Sequence, residues 1–316
     1  MIMSADAKIF VAGHRGLAGS SIVRHLQARG FTNILTRARA GLDLREQAAV
    51  RVFFERERPE FVFCGAATVG GIGANSARPA EFIYDNLMIQ TNVIDACWRS
   101  SVQKLVFLGS TCIYPRLAPQ PMREEHLLTG LLEPTNEAYA IAKIAGLKMC
   151  EAYARQYGMR SVTVMPTNLY GPGDNFDLEA SHVIPALMRK AHEAKLASAP
   201  SMTVWGTGAP LREFLHVDDL AEACVFAMER VDKFSMVNAG SGEEIAIANL
   251  MRLIADVVGF EGEIVFDASK PDGTPRKLAD VSRLHALGWR ARTPLRDGLE
   301  KTYRWFLANL HGHGRA

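Results

Sequence analysis

Residues 8–19 read KIFVAGHRGLAG, an apolar run of strand length followed by three glycines three apart and then a helix-forming stretch. The unbroken apolar run before Gly13 suits a strand covered on both faces, as in a parallel sheet. Gly13 permits a tight turn, Gly16 lets a ligand approach the backbone, and Gly19 lets the next helix pack on the strand. The free amides opening that helix would then face a pyrophosphate. His14, Arg15, Leu17 and Ala18 complete the expected cradle. A strand, glycine loop and helix in this order begin a sheet that binds a dinucleotide.

Outward from this loop, short apolar runs alternate with longer amphipathic ones. Strands are predicted at 8–12, 33–36, 61–64, 104–108 and 161–165, and helices at 17–29, 46–57, 79–100 and 137–157. The helix from Pro79 starts on a residue suited to a first turn. Right-handed crossovers make this an α/β fold with a Rossmann-like doubly wound parallel sheet. After Tyr170 the turn-rich GPGDNFD breaks the pattern. Helices are expected at 182–197, 217–229, 246–258 and 294–310, and strands at 202–205, 236–239 and 263–266. Residues 1–170 read as the dinucleotide-binding domain and 171–316 as mainly a smaller α/β substrate lobe, with the strand at 236–239 free to return to the main sheet.

Composition narrows the function classes. In 316 residues, 48% are hydrophobic and 22% charged, ordinary values for a folded chain, and a net charge of +2 gives no reason to expect nucleic acid as a partner. A run of about 18 apolar residues is lacking, so no membrane span is expected. The N-terminal apolar stretch runs straight into the glycine loop and reads as a strand rather than a signal peptide. Cys64, Cys97, Cys112, Cys150 and Cys224 are scattered, with no metal-ligand spacing, which fits a reduced, cytoplasmic chain.

An acid that holds the adenosine ribose is expected at the end of the second strand, about 20 residues past the glycines. Here that position reads Thr36-Arg37-Ala38-Arg39. Arg37 and Arg39, with Arg15, suit a 2′-phosphate, so the expected cofactor is NADP(H), with Asp43 meeting the adenine edge. The GxxGxxG spacing resembles that of the short-chain dehydrogenase/reductase superfamily.

Tyr139 and Lys143 are four residues apart on one helix face, and Ser110 follows the strand at 104–108. The ammonium is expected to lower the tyrosine pKa, and the tyrosine to pass a proton to a carbonyl oxygen that Ser110 also holds. Leu108 and Gly109 end the same strand, and Pro166, Thr167, Asn168 and Leu169 end the next, all expected to border the cofactor. Cys112 lies two residues beyond Ser110, where a thiolate can remove a proton beside a carbonyl. His182, after the GPGDNFD loop, is a candidate to return a proton on the opposite face and to border the cofactor. Inversion of a stereocentre needs such a pair. REFLHVDD has one histidine beside its acids and lacks a convincing ligand set, so no metal is expected.

The strings AGHRGLAGS, VGGIGAN, FIYDNLMIQTNVI, LGSTCIYP, LEPTNEAYAIAKIAG, MPTNLYGPGDNF, SHVIPAL, REFLHVDDLA and FDASKPDGTPRK resemble the GDP-L-fucose synthase family over nearly the whole chain. The resemblance implies NADPH-dependent epimerisation of GDP-4-keto-6-deoxy-D-mannose at C3 and C5, then reduction at C4. It assigns catalysis to Ser110, Tyr139 and Lys143 and epimerisation to Cys112 and His182, without deciding which of that pair is base and which acid. It also implies GDP-sugar contacts at Lys190, Trp205, Arg212, Asp267 and Lys277, and a homodimer joined through the helices at 79–100 and 137–157. Competing readings are a synthase acting on a related GDP-ketosugar such as the GDP-colitose precursor, a plain nucleotide-sugar 4-epimerase, and a non-catalytic NADP-binding module.

Overall fold

A computed structural model describes residues 3–178, 181–270 and 272–310. The first half alternates strand and helix: β1 (Ile9–Ala12), α1 (Leu17–Ala28), β2 (Ile34–Leu35), α2 (Gln47–Glu57), β3 (Phe61–Cys64), α3 (Ile72–Ala77), α4 (Pro79–Arg99), β4 (Lys104–Leu108), α5 (Glu137–Tyr157) and β5 (Ser161–Pro166). The second half runs β6 (Asn168–Tyr170), α6 (Val183–Leu196), β7 (Ser201–Trp205), β8 (Leu211–His216), α7 (Val217–Arg230), β9 (Ser235–Ala239) and β10 (Glu244–Ala246). It closes with α8 (Ile247–Val258), β11 (Glu263–Asp267), β12 (Arg276–Lys277), α9 (Ser282–Leu287) and α10 (Leu295–Ala308).

The main sheet is parallel throughout, in the order β2-β1-β3-β4-β5-β9. From β1 the chain turns one way to β2 and the other way to β3, so the carboxyl ends of β1 and β3 flank a switch-point crevice. Strands β1, β3, β4 and β5 are buried at every residue. Their alternation explains why. Ile9, Val11, Phe61, Phe63, Val106 and Val162 pack with residues of α1 and α7, while Phe10, Val62, Leu105 and Phe107 pack with α2, α4 and α5. Each strand thus feeds two cores, which is why its sequence shows an unbroken apolar run. The late strand β9 pairs with β5 along Ser235–Ala239, so the chain re-enters the main sheet after β6, α6, β7 and β8.

Strands β6, β7, β8, β10, β11 and β12 with helices α6, α8 and α10 form a smaller second lobe. Strand β8 is its hub, antiparallel to β10 and parallel to β12 and β6, while β7 and β11 form a separate parallel pair. Its core gathers Met202, Val204, Phe214, Leu250, Ile254 and Phe306. The sequence reading lacks β6, β8, β10, β12, α3 and α9. The short run at Leu211–His216 carries Arg212 and Glu213, and its pairing partners lie more than 30 residues away on either side in the sequence, so it shows no local strand pattern. Among the described residues, no helix is long and apolar enough to cross a membrane.

Candidate active site

At the crevice, Gly13 has φ 83°, and a Cβ there would stand 2.7 Å from the Ala66 backbone. A Cβ on Gly19 would collide with the Gly13 carbonyl oxygen, so only glycine lets α1 seat this closely. Gly16 is exposed, donates its N–H to the Gly13 carbonyl at 3.0 Å and opens α1 with no side-chain cap and no acid in the first turn. The amides of α1 are therefore open to an anion. His14 Nδ1 and Thr167 Oγ1 are buried without a hydrogen-bond partner at the same strand ends. A glycine cradle, an open helix terminus and unsatisfied polar atoms together fit a bound dinucleotide.

The basic loop after β2 is more committed than its sequence suggests. Arg37 donates to the Thr36 carbonyl at 2.8 Å and to Glu57 at 3.1 Å, and its guanidinium lies over the Phe53 ring. Asp43 is claimed by Arg45, which holds its carboxylate far below the usual range, chiefly by hydrogen bonds. Arg39 is mostly exposed, with a long 3.5 Å contact to Asp43, and Arg15 is exposed on the glycine loop. Arg39 and Arg15 are thus the cations open to a 2′-phosphate, while Arg37 and Asp43 stiffen the loop.

At the end of β4, Ser110 is extended and its Oγ accepts the Cys112 N–H at 3.3 Å, which starts a short helical turn over Thr111–Ile113. Helix α5 crosses this strand end. Its buried Lys143 donates to the Leu108 carbonyl at 2.9 Å and lies 5.0 Å from the centre of the Phe107 ring and 5.7 Å from that of Tyr139. Phe82 meets Tyr139 edge-on at 6.4 Å. A Cβ on Gly109 would collide with Met165 Sδ, which shows how tightly β5 walls this end. Asn168, next along, donates to the Glu213 carbonyl at 2.8 Å. A separate cavity of about 290 Å³, lined by Asn75, Pro79, Asn136 and Glu137, lies at the opening of α4 and α5 rather than on the Ser110–Cys112 turn.

The electrostatics of this group follow from lost water. Desolvation pushes the Cys112 thiol up, opposed by the Ser110 hydroxyl and by the ammonium groups of Lys277 and Lys143. Desolvation also pushes the Tyr139 phenol well above its ordinary value, and Cys112 adds to the rise. The expected lowering by Lys143 is not found. That ammonium is itself desolvated, with its pKa pulled down, and it spends a hydrogen bond on Leu108 rather than on the phenol.

The lobe brings β12 to the same place. Lys277 is paired in register with Arg212 on β8, and its charge reaches Cys112, Arg212 and Glu133. Desolvation lowers the pKa of Arg212, and the Asp272 carboxylate offsets it. Asp272 also accepts from the Thr207 N–H at 2.9 Å and from its hydroxyl at 2.6 Å, just past Trp205. The sequence reading names Asp267 instead, yet Asp267 accepts from the N–H of Ser269 at 3.0 Å and from its hydroxyl at 2.6 Å. Asp267 builds its own turn, and Asp272 is the acid that answers Arg212. Both lie in FDASKPDG, and only the pairing of β8 with β12 separates their roles. Lys190 lies 5.4 Å over the Trp205 ring. His182 caps α6 with its backbone only and is exposed, and enough protein surrounds it for desolvation to lower its imidazole pKa. Among the described residues, no hydrogen bond joins it to Cys112 or Tyr139.

A dinucleotide cradle beside a serine at a strand end and a tyrosine and lysine on the helix that crosses it defines a Rossmann-like enzyme of the dehydrogenase and epimerase kind. Residues 9–240 match the NAD dependent epimerase/dehydratase family. The chain is 60% identical over 305 residues to GDP-L-fucose synthase 1 of Arabidopsis thaliana, covering 96% of this chain and 94% of that one. It is 55% identical over 311 residues to the GDP-L-fucose synthase of Escherichia coli (strain K12), covering 96% and 97%. It superposes on the NADP-bound GDP-L-fucose synthetase of Naegleria fowleri with a TM-score of 0.90 at 29% identity, covering 100% of this chain and 98% of that one. The chain belongs to the NAD dependent epimerase/dehydratase family and, within it, to the GDP-L-fucose synthases.

Proposed function

We propose that this enzyme converts GDP-4-keto-6-deoxy-D-mannose to GDP-L-fucose, inverting C3 and C5 and then reducing C4 with NADPH. The observation that carries the reading is the thiol of Cys112 in electrostatic contact with Tyr139, Lys143 and Lys277, because carbonyl reduction alone has no use for a thiol there. The amides of the glycine loop would hold the pyrophosphate of NADP(H), Arg15 and Arg39 its 2′-phosphate, and Lys143 the nicotinamide ribose. Leu108, Gly109 and Pro166–Leu169 would wall the nicotinamide. NADPH, when bound, supplies the hydride for C4.

The C4 ketone acidifies the hydrogens at C3 and C5. Cys112 removes them. Ser110, Lys277 and Lys143 each favour its thiolate against desolvation. His182 returns a proton on the other ring face, and its lowered pKa makes the protonated form a readier donor. Ser110 and Tyr139 hold the oxyanion that develops at O4. Burial keeps Tyr139 protonated, as the final donor to that oxygen must be. Arg212 and Lys277 face the GDP-sugar from the lobe, with Lys190 and Trp205 beyond them.

The same reading takes residues 1–170 as the NADP-binding part and 171–316 as mainly the sugar-binding part. It makes the enzyme a cytoplasmic homodimer, joined through α4 and α5, whose exposed faces include Tyr84 at 59% and Ile141 at 42%. Incubation with GDP-4-keto-6-deoxy-D-mannose and NADPH in D2O, followed by NMR, tests the reaction. GDP-L-fucose should form with deuterium at C3 and C5, and Cys112→Ser should lose that deuterium uptake. Uptake at the wild-type rate in the variant would show that another base does the work.

A further inference from the structure

Trp205 ends β7 and is 67% exposed, beside a strand whose inward residues are buried. Two ammonium groups approach the one indole, Lys190 from α6 at 5.4 Å from the ring centre and Lys270 at 5.6 Å. An aromatic face attracts cations, but two like charges on one ring also repel each other. Neither ammonium makes an ion pair within 4 Å among the described residues, and the Asp267 carboxylate feels the charge of Lys270 only at longer range. The arrangement gathers positive charge at an open aromatic surface, and an anion beside it would relieve the repulsion.

The turn carrying Lys270 is built to hold it there. Asp267 stands in register opposite Trp205 on the β11–β7 pair, and its carbonyl accepts the Gly206 N–H at 2.9 Å and the Lys270 N–H at 3.2 Å. Its carboxylate accepts both the N–H and the hydroxyl of Ser269. One residue thereby ties the base of the Lys270 turn to the strand end that presents the indole. The next residue of this run to be anchored, Asp272, clamps Thr207 and faces Arg212. Cations from three separate elements thus line a path from Trp205 toward Cys112.

We propose that Lys270 is a binding residue for the diphosphate of the nucleotide sugar, paired with Lys190 across Trp205, and that Asp267 is the positioning residue that folds its turn. This rests on the GDP-sugar reading above. A purine stacked near Trp205 leaves its diphosphate within reach of both ammonium groups, and charge-assisted hydrogen bonds to phosphate are the strong kind.

Titration of the intact enzyme with GDP and with guanosine, read by tryptophan fluorescence and calorimetry, tests the pair. Lys270→Ala should raise the Kd for GDP about tenfold, the exposed setting keeping the loss at the low end for a charge-assisted bond. It should leave guanosine and NADPH binding unchanged and act on KM rather than kcat. Lys270→Arg should recover most of the affinity. Asp267→Ala should weaken GDP as Lys270→Ala does, and Asp267→Asn, which keeps the accepting oxygen, should not. Wild-type GDP affinity in Lys270→Ala, or an equal loss for guanosine, overturns the assignment. A wild-type enzyme that binds no nucleoside diphosphate would instead overturn the GDP-sugar reading and the clamp with it.

Discussion

At Cys112 and Tyr139 the protein has removed water, and both groups are pushed toward their neutral forms; at Trp205 an open indole gathers two lysines at the surface. Electrostatic contacts connect the two regions, from Cys112 through Lys277 and Arg212 to Asp272, which holds Thr207 beside Trp205. The inner region has fixed donors and little water, where small charge movements are strongly felt. The outer one has charge and solvent, which suits capture of an anionic nucleotide but not its chemistry. On the proposed function, rate falls to the inner residues and affinity to the outer ones, a division that experiment can test.

The largest effect should come from the inner region. Tyr139→Phe removes the donor and should lower kcat for C4 reduction about 10³-fold, with a clearly smaller loss in deuterium exchange at C3 and C5, where Ser110 still holds O4, and with the KM of the nucleotide sugar near wild type. Equal losses in exchange and reduction would join steps that are here kept apart. Salt should act on the outer region. Raising ionic strength from about 0.05 to 0.5 M should raise the Kd of GDP several-fold and leave kcat within about twofold, because exposed charges are screened and buried ones are not. A matching fall in single-turnover rate would show that the inner groups also feel bulk salt.

The smallest effect sharpens the claim about desolvation. Asp174, in the loop between β6 and α6, is buried with Oδ2 unpartnered, and desolvation pushes its carboxyl up to about 7. The folded form therefore holds a proton that the unfolded chain, with a carboxyl near ~3.9, has released. Stability from this group is present at low pH and is lost as pH rises through about 7. Asp174→Asn should become more stable than wild type by about 1–3 kcal/mol at pH 8, with the gap shrinking toward pH 5, as read by urea unfolding. A gap that does not change with pH would mean Asp174 finds water or a partner.

The parallel sheet is legible in the sequence because β1, β3, β4 and β5 are buried on both faces and leave unbroken apolar runs. Ser110, Tyr139 and Lys143 are legible because a strand end and a helix spacing fix them locally. The lobe is less legible. Strand β8 carries Arg212 and Glu213 because each meets a partner from far along the chain: the Asp272 carboxylate in one case, and the Gly242 and Ala279 amides in the other. Arg37 reads in the sequence as an unpaired cation, and the fold gives it an ion-pair partner in Glu57, twenty residues on. Asp267 and Asp272 are five residues apart with the same chemistry, and only the fold tells which one faces Arg212.

The return of β9 to the edge of β5 has a consequence for engineering. A chain stopped after Tyr170 would keep the glycine loop, Ser110, Tyr139 and Lys143, yet leave the Val162–Pro166 edge without its neighbour and the α1 face without α7. Bare parallel edges and uncovered apolar faces favour aggregation. The second lobe therefore cannot be swapped at a single joint. A transplant would need at least three cuts, one before α6, one before α7 and one after β9, so that α7 and β9 stay with the sheet.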